Sequence, residues 1–231
     1  MKKIISICAR KGSKGVINKN LRELLGKPLL AYSIEQALAS GRFDYVAVSS
    51  DSEEILELSK KYGANVLIRR PDSLAQDTSP KLEVIKHCFL ESERLLDQKF
   101  EYVVDLDATS PLRSPEDIIA VMNLIEKKDV DNVITAMPAR RSPYFNMVEL
   151  DMNGSARLSK GEAKYYRRQD CPRCYDMNAS IYAWKRDTFL DKMALFLPNT
   201  KLYVMPEERS IDIDTPFDFK VVEFLMKERN L

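Results

Sequence analysis

The stretch IISICARKGSKGVINKN, from Ile4 to Asn20, decides how this chain folds. Its first five residues, Ile4 to Cys8, form an apolar run that predicts a buried strand. The strand leads into a loop that contains Gly12 and Gly15, and no acidic residue occurs before Glu23. Glycine lets backbone N–H groups approach an oxyanion, and Lys and Arg neutralise its charge. The pattern is typical of an α/β protein that holds phosphate at the end of its first strand.

This loop, residues 9–20 and called the basic loop below, matches neither of two common phosphate-binding patterns. In the nucleotide-hydrolase pattern the second glycine is followed by Lys and then Ser or Thr, whereas Gly15 is followed by Val16. A dinucleotide fingerprint requires Gly-x-Gly, and Gly12 has no such partner. Taken alone, the stretch is also compatible with a solvated loop that binds nothing.

Composition limits the class of protein. With 231 residues, of which 45% are hydrophobic, the chain suits one α/β domain with a small subdomain. A net charge of +1 argues against bulk binding of nucleic acid, because the excess of basic residues is local to one loop. No apolar run is long enough to cross a membrane, and Ile4 to Cys8 is too short for a signal peptide. We therefore expect a cytoplasmic protein with reduced cysteines and no membrane partner.

The cysteines and the single histidine offer little chemistry. Cys171 and Cys174 form a CxxC pair, but a zinc site needs two more soft ligands, and only Cys8, Cys88 and His87 remain. Coincidence in a loop is favoured, with metal binding and redox chemistry as alternatives. His87 lies in a helical stretch and is expected to have no chemical role. One His without Gly-x-Ser-x-Gly argues against a Ser-His-Asp hydrolase.

Strands and helices alternate over the first 137 residues. Apolar runs predict strands at 4–8, 45–50, 64–68, 102–106 and 132–137, and helices are predicted at 28–40, 52–62 and 80–96 and from 114 onward. This order predicts a doubly wound, mostly parallel sheet, in which ligands bind at the carboxyl ends of the strands. The basic loop, Ser49 to Asp51 and Asp107 to Ser110 follow three of these strands, so we expect them to meet in one crevice.

From 138 to 174 the pattern changes. Tyr144 to Leu150 and Ala156 to Leu158 flank a turn signal at Asp151 to Gly154, which predicts a hairpin. We interpret 138–174 as an excursion from the sheet, either a lid or an arm that grips a second subunit. Further strands are predicted at 179–184 and 201–205 and a last helix at 215–229, so residues 1–231 are expected to form a single domain.

Two carboxylates stand near the end of the chain. Ser210 to Asp214 is predicted to be a strand end, which would place Asp212 and Asp214 on one face because side chains two apart point the same way. Two such oxygens beside a phosphate loop favour a magnesium site, in which substrate phosphates complete the shell. The alternative is that both residues only cap the last helix.

Together these motifs resemble those of the CMP-sialic acid synthetase family, the acylneuraminate cytidylyltransferases. The resemblance rests on the basic loop, on Thr109 to Arg113, on Asn178 ahead of Ser180 to Tyr182, and on Ser210 to Pro216. The motifs occur in the family's order and cover nearly the whole chain. The chain looks most similar to bacterial CMP-legionaminic acid synthetases.

The resemblance implies a reaction and a fold. The anomeric hydroxyl of a nonulosonic acid sugar attacks the α-phosphorus of CTP, which gives a CMP-sugar and pyrophosphate. The fold is the Rossmann-like one of nucleotidyltransferases, and the excursion exchanges between the subunits of a homodimer. The chemistry is consistent with the residues, because nucleotidyl transfer needs alignment and charge neutralisation, which cationic side chains and a metal supply.

The resemblance also assigns roles residue by residue. The catalytic set is Arg10, Lys14, Lys19, Asp212 and Asp214, and the last two would bind Mg²⁺. The CTP-binding set is Ala9, Arg10, Gly12, Ser13, Lys14, Asn20, Ser50, Asp51 and Ser79. The sugar-binding set is Asp107, Thr109, Ser110, Arg168, Asn178 and Tyr182, where Arg168 would pair with the sugar's carboxylate.

Two departures from the family pattern bear on the acceptor. Asp107-Ala108 stands where the family often has Gln followed by Pro or Ala, and a carboxylate there would face the sugar or reach the metal. Ser142 to Asn146 lacks the Lys with which sialic acid enzymes reach across the dimer. Both features are similar to members that act on legionaminic acid. Sialic acid, KDN and pseudaminic acid remain as other acceptors.

Three other functions compete. A cytidylyltransferase for the eight-carbon sugar KDO would share the chemistry, but Thr109-Ser110-Pro111 stands where that group has an acidic pair before Pro. A non-catalytic nucleotide-binding module would use Asp212 and Asp214 only as structural residues. A phosphate-ester hydrolase would release phosphate from CTP without any sugar.

Overall fold

A computed structural model describes residues 2–161 and 165–229 of the chain. The described residues form eleven strands and six helices. The strands are β1 (Ile4–Cys8), β2 (Glu23–Leu24), β3 (Lys27–Pro28), β4 (Tyr45–Ser50), β5 (Val66–Arg69), β6 (Tyr102–Leu106), β7 (Asn132–Pro138), β8 (Val148–Leu150), β9 (Ala156–Leu158), β10 (Tyr175–Lys185) and β11 (Thr200–Val204). The helices are α1 (Leu29–Ala39), α2 (Glu53–Lys61), α3 (Lys81–Leu96), α4 (Pro115–Ile125), α5 (Arg186–Lys192) and α6 (Pro216–Arg229).

Seven strands form the central sheet, in the order β11-β7-β10-β6-β1-β4-β5. Every neighbouring pair is parallel except those of β10, which runs antiparallel to both β6 and β7. The prediction of a mostly parallel sheet is therefore confirmed. Since β1, β4 and β6 all end at the same edge, the polar loops that follow them meet there, as expected for this architecture.

Helices cover both faces of the sheet, which confirms the doubly wound arrangement. Ile5 and Ile7 of β1 pack with α1, α2 and α4, whereas their neighbour Ile4 packs on the other face with α3 and α5. Alternation along the strand sends successive side chains to opposite faces. Because both faces are buried, the strand is apolar at nearly every position rather than at every second one.

The excursion carries the predicted hairpin, which is shorter than expected. β8 and β9 pair only with each other, so they form a two-stranded sheet apart from the central one. All six of their residues are exposed. None of the helices in the described ranges combines the length and apolar character that a bilayer crossing requires.

Other predictions about secondary structure were wrong. Ser210 to Asp214 is not a strand; the Ile213 N–H donates instead to the carbonyl of Thr109, a loop residue, at 2.9 Å. The returning strand β10 starts at Tyr175 rather than at 179. Helix α5 and the short β2–β3 pair were not predicted.

Candidate active site

Two hydrogen bonds fold the basic loop against the end of the sheet. The Ala9 N–H donates to the carbonyl of Ser49 at the end of β4, at 3.0 Å. At the other end of the loop, Asn20 Nδ2 donates to the Arg10 carbonyl at 2.9 Å. Asn20 is buried, so its side chain closes the loop on itself. The loop therefore holds its cationic side chains on a fixed frame.

The guanidinium of Arg10 and the ammonium of Lys14 converge on one carboxylate. Arg10 Nη1 and Lys14 Nζ each lie 2.5 Å from an oxygen of Asp77. Hydrogen bonds from Lys14 and Arg10 hold the pKa of Asp77 below its ordinary value. A ligand phosphate would compete with Asp77 for the same two cations. Sequence reasoning missed Asp77, because nothing distinguishes it from the other carboxylates of its loop.

The basic loop also touches the segment near the other end of the chain that carries Asp212 and Asp214, called the acid pair. Lys19 Nζ donates to the Ile213 carbonyl at 2.5 Å and lies 3.1 Å from Asp214 Oδ1. Gly15 packs so closely on this segment that an added Cβ would lie 2.0 Å from the Asp214 carbonyl oxygen. The two segments form the walls of a cavity of about 290 Å³, called the loop cavity. Eight predicted site residues line it: Arg10, Ser13, Lys14, Lys19, Asn20, Asp107, Thr109 and Asp214.

The acid pair itself is suited to a cation. Burial, together with the charge of Asp214, raises the pKa of Asp212 above its ordinary value. The side chain of Asp214 is 73% exposed and so remains open to solvent. A divalent ion would relieve this like-charge repulsion, and carboxylate oxygens are ligands that Mg²⁺ prefers. Among the described residues no three His, Cys, Asp or Glu side chains form a metal site, so a metal here would take further ligands from phosphate and water.

The predicted sugar contact Asp107 is already bound within the protein. Its Oδ2 lies 2.7 Å from Lys81 Nζ, and its Oδ1 accepts the N–H and the hydroxyl of Thr109 at 3.0 and 2.8 Å. Burial opposes ionisation of Asp107, but these contacts hold its pKa well below the ordinary value. Both oxygens therefore have partners, which does not fit the hypothesis that Asp107 reaches the metal. Its contact with a sugar stays a prediction.

A second cavity adjoins the first. This inner cavity, of about 200 Å³, shares Arg10 and Asp107 with the loop cavity. Its charged and hydroxyl-bearing lining residues are Arg10, Arg70, Asp77, Ser79, Lys81, Asp105 and Asp107. Arg70 is buried and donates to Ser49 Oγ at 3.1 Å and to the Ser49 carbonyl at 2.7 Å. Arg70 and Lys81 were not predicted, because a single basic residue at a strand end or helix start has no distinctive pattern.

Three predicted side chains lie in the interior rather than at a cavity wall. They are Ser50, Ser110 and Asn178. Asn178 Nδ2 donates to Ser210 Oγ at 3.0 Å and Asn178 Oδ1 accepts from Thr135 at 2.6 Å, so the amide joins β10 and β7 to the segment that carries the acid pair. Ser50 Oγ accepts the Ser52 N–H at 3.1 Å, whereas the buried Ser110 Oγ has no hydrogen-bond partner among the described residues. Contact of these three residues with a ligand stays a prediction.

Two more predicted site residues, Asp51 and Arg168, line neither the loop cavity nor the inner cavity. Asp51 accepts the N–H of Lys11 at 2.8 Å and so supports the basic loop from β4. Arg168 lines a separate cavity of about 650 Å³ in the excursion, and this arm cavity also contains Cys171 and Cys174. None of its lining residues is shared with the loop or inner cavities. The pairing of Arg168 with a sugar carboxylate stays a prediction.

Comparison with known proteins identifies the family of this chain. The family model described as cytidylyltransferase matches residues 4–230. This chain belongs to the cytidylyltransferase family. It is therefore a nucleotidyltransferase, which confirms the enzyme class expected from the motifs.

The full-length relatives of this cytidylyltransferase include one protein named for flagellin modification and two enzymes named for legionaminic and pseudaminic acid. The chain is 46% identical over 228 residues to the post-translational flagellin modification protein B of Campylobacter coli, covering 99% of this chain and 96% of that protein. It is equally similar, with the same coverage, to the CMP-N,N'-diacetyllegionaminic acid synthase of Campylobacter jejuni. The pseudaminic acid cytidylyltransferase of C. jejuni is 32% identical over 98% of this chain and 97% of that protein.

A solved structure supports the fold. CMP:2-keto-3-deoxy-manno-octonic acid synthetase, determined with CTP, superposes with a TM-score of 0.73 over 99% of this chain and 100% of that one. The two sequences are 18% identical, so the likeness concerns the fold alone. It confirms the nucleotidyltransferase architecture of this cytidylyltransferase.

Proposed function

We propose that this enzyme transfers CMP from CTP to the anomeric hydroxyl of a nonulosonic acid and releases pyrophosphate. The observation that carries the proposal is the meeting of the basic loop with Asp214 around the loop cavity. A cationic wall facing a carboxylate pair suits the alignment and charge neutralisation that nucleotidyl transfer needs. The C. jejuni relative at 46% identity, which is named CMP-N,N'-diacetyllegionaminic acid synthase, favours an acceptor of the legionaminic acid type. Sialic and pseudaminic acids are the competing acceptors.

The cavities suggest where each part of CTP binds. The triphosphate lies in the loop cavity, where Arg10 and Lys14 exchange Asp77 for phosphate oxygens and glycine N–H groups approach them. The nucleoside lies at the Arg70 side of the adjoining inner cavity, which leaves the Lys81 side of that cavity for the acceptor sugar. The α-phosphorus is then near Arg10 and Asp107, which line both cavities.

Asp212 and Asp214 would hold the metal, with Lys19 next to them. Bound Mg²⁺ would neutralise phosphate charge and lower the pKa of a coordinated hydroxyl. Lys19 keeps the acid pair on the loop by its bonds to Ile213 and Asp214. Its ammonium, next to Asp214 at the wall of the loop cavity, would neutralise charge on a phosphate bound there. The single His of the chain, His87, lines neither the loop cavity nor the inner cavity, so no His base is assigned.

We further propose that the enzyme works in the cytoplasm, as a homodimer, in surface-glycan biosynthesis. Support for the dimer comes from the excursion, where Val148, Leu150 and Met152 are exposed apolar residues. Such a contiguous apolar surface is typical of an interface. Support for the pathway comes from the flagellin modification protein of C. coli. The near-neutral net charge of +1 gives no reason to propose a nucleic acid partner.

The test is release of pyrophosphate from CTP and Mg²⁺ with a panel of legionaminic, sialic and pseudaminic acids, KDN and KDO. We expect turnover with a nonulosonic acid and highest kcat/KM with legionaminic acid. Asp212→Asn and Asp214→Asn should each lose activity by roughly 100-fold or more while staying folded, since each removes a metal ligand. Asp187→Asn, which changes an exposed carboxylate on α5, is the matched control.

Three results would contradict the proposal. No turnover with any nonulosonic acid would refute the substrate class. Phosphate release from CTP alone would indicate a hydrolase. CTP binding without any transfer, unchanged in Asp212→Asn, would indicate a binding module.

A further inference from the structure

Lys81, the first residue of α3, is held at the wall of the inner cavity by three groups. Its Nζ lies 2.7 Å from Asp107 Oδ2, 3.8 Å from Asp105 Oδ2 and 4.7 Å from the centre of the Tyr182 ring. Asp105 and Tyr182 are buried, at 1% and 4% exposure, whereas the Lys81 side chain is 38% exposed. These three contacts therefore hold the ammonium in place, while it remains accessible from the inner cavity.

The ammonium has hydrogen-bond donors left for a ligand. A lysine carries three N–H groups, and Asp107 takes one of them. The distance of 3.8 Å to Asp105 is too long for a hydrogen bond, so that contact is electrostatic only. The contact with the ring of Tyr182 is likewise a cation–π attraction. At least one donor can therefore point into the inner cavity.

The surrounding charges select the kind of atom that this donor meets. The cations of this cavity that could attract an anion are Arg10 and Arg70. The Lys81 ammonium itself stands next to two carboxylates, Asp105 and Asp107, so a negative charge bound directly to it would be repelled by both. A neutral oxygen accepts the bond without that repulsion. The preferred ligand atom is thus a carbonyl or hydroxyl oxygen rather than a carboxylate or phosphate oxygen.

A mostly apolar cavity beside Lys81 favours a carbonyl over a hydroxyl as the ligand group that the ammonium meets. This side cavity, of about 370 Å³, is lined by Pro80, Lys81, Leu82, Glu83, Tyr182, Met193 and Leu195. A methyl group attached to the carbonyl would be removed from water there, which favours its binding. A hydroxyl substituent would leave the side cavity unused. The geometry matches an acylamino group, whose carbonyl faces the ammonium and whose methyl faces the side cavity.

We propose that Lys81 is a specificity-determining residue that donates a hydrogen bond to the carbonyl of an acylamino substituent on the acceptor sugar. Asp107 positions the ammonium, and the side cavity receives the acyl methyl. This inference rests on the proposed function, since it names what that site recognises on its acceptor. It also gives Asp107 a role without direct contact between its carboxylate and the sugar.

The test uses two acceptors that differ at one substituent: sialic acid, which carries an acetamido group, and KDN, which has a hydroxyl in its place. The double variant Lys81→Met/Asp107→Asn removes the ammonium without leaving Asp107 as an unpaired buried charge. We expect the ratio of its kcat/KM for sialic acid to its kcat/KM for KDN to fall by about 10-fold to 100-fold from the wild-type ratio, the range for a lost hydrogen bond to a charged group. The ratio is the readout because Asp107 lines both cavities, so its replacement would affect the two acceptors alike.

Companion variants separate recognition from structure. Lys81→Met alone is expected to lower thermal stability, because it leaves both Asp107 and Asp105 without their cation, and the double variant should recover the part that is due to Asp107. A purely structural role would leave the wild-type preference for sialic acid over KDN in the double variant, which would refute the inference. A higher KM for CTP in the double variant than in Asp107→Asn alone would refute it as well, because Lys81 would then contact the nucleotide. If the wild type used no nonulosonic acid at all, the proposed function would fail first and this inference with it.

Discussion

Asp117 shows how one side chain far from the chemistry positions the acid pair. It lies at the start of α4, buried, and accepts two hydrogen bonds of 2.9 Å from Arg209, one of 3.0 Å from Tyr203 and one of 2.8 Å from the Ser114 N–H. Arg209 ends the short turn that precedes Ser210 to Asp214. Burial opposes ionisation, but the bonds from Arg209 and Ser114 keep the pKa of Asp117 below its ordinary value. The carboxylate thus ties α4 to the segment that carries the metal ligands.

Replacing Asp117 by Asn should lower the free energy of unfolding by about 3–5 kcal/mol, because it leaves the Arg209 charge without its buried partner. The pKa of Asp117 is lower in the folded chain than its unfolded value of 3.8, so its ionised carboxylate stabilises the fold at pH values above 3.8. This stabilisation is lost as the pH falls through the lower pKa of the folded state. Urea unfolding at pH 7 and below pH 4 measures both effects. Asp187→Asn is the control; equal stability of the two variants at pH 7 would contradict the prediction.

Among the elements, the basic loop depends most on a single close contact. Gly15 packs on the Asp214 carbonyl, so the phosphate-binding loop and the acid pair keep a fixed separation. Lys19 reinforces that contact with its bond to the Ile213 carbonyl. The loop's glycines thus serve two purposes: one leaves the backbone open to phosphate, and the other lets two segments distant in sequence touch.

Gly15→Ala should disable catalysis, since its Cβ would lie 2.0 Å from the Asp214 carbonyl oxygen and must push the loop away. A displacement of about 1 Å costs roughly 100-fold in rate, and the overpacking costs about 1–3 kcal/mol of stability. Steady-state pyrophosphate release and thermal unfolding give the two values. Gly161→Ala, whose Cβ would meet Leu158 at an ordinary 3.5 Å, is the control. Wild-type kcat/KM in Gly15→Ala would show that the separation is not critical.

Elements with strong patterns were predictable and those that depend on partners were not. The limits of β1 and β6 agree with the prediction, because each is a mostly apolar run that follows a charged residue and has another within two positions of its end. Asp212 to Asp214 mimics the alternation of a strand, but no strand lies beside it to pair with. Helix α5 has seven residues, too few for a helical period to show.

The site was predictable where several residues share a motif. The basic loop meets Asp107 and Thr109 as expected, since strand ends converge in a parallel sheet. Asp214 lines the same cavity, but from a segment that is not a strand. Asp77 and Lys81 act singly, and their importance depends on contacts that only the folded chain shows. Asn178 was assigned by its place in a motif, although its burial depends on the packing of β10 against its neighbours.

At the scale of the whole molecule, the excursion carries apolar side chains that are exposed to solvent. Val148 and Leu150 on β8 are 61% and 70% exposed, and β8 and β9 pack on no strand of the central sheet. The arm cavity, with Arg168 on its wall, lies at the base of the same excursion. A second copy of the chain would cover the hairpin and complete the surroundings of this cavity.

Leu150→Asp should split the proposed dimer, because it places a charge in an apolar interface. Sedimentation velocity is expected to show the wild type at twice the mass of the variant. Leu95→Asp, an exposed apolar residue of α3 outside the excursion, is the control and should stay dimeric. A monomeric wild type would contradict the prediction, and so would a dimeric Leu150→Asp variant.

The antiparallel strand β10 has a consequence for biosynthesis on the ribosome. β7 and β11 join the other sheet strands through β10, which begins at Tyr175, well after β7 ends at Pro138. While the chain is being made, β7 therefore emerges before either of its neighbours exists. An apolar strand that waits in this way is open to aggregation. Strands β1, β4, β5 and β6 can pair early, whereas the sheet is completed only when most of the polypeptide has been translated.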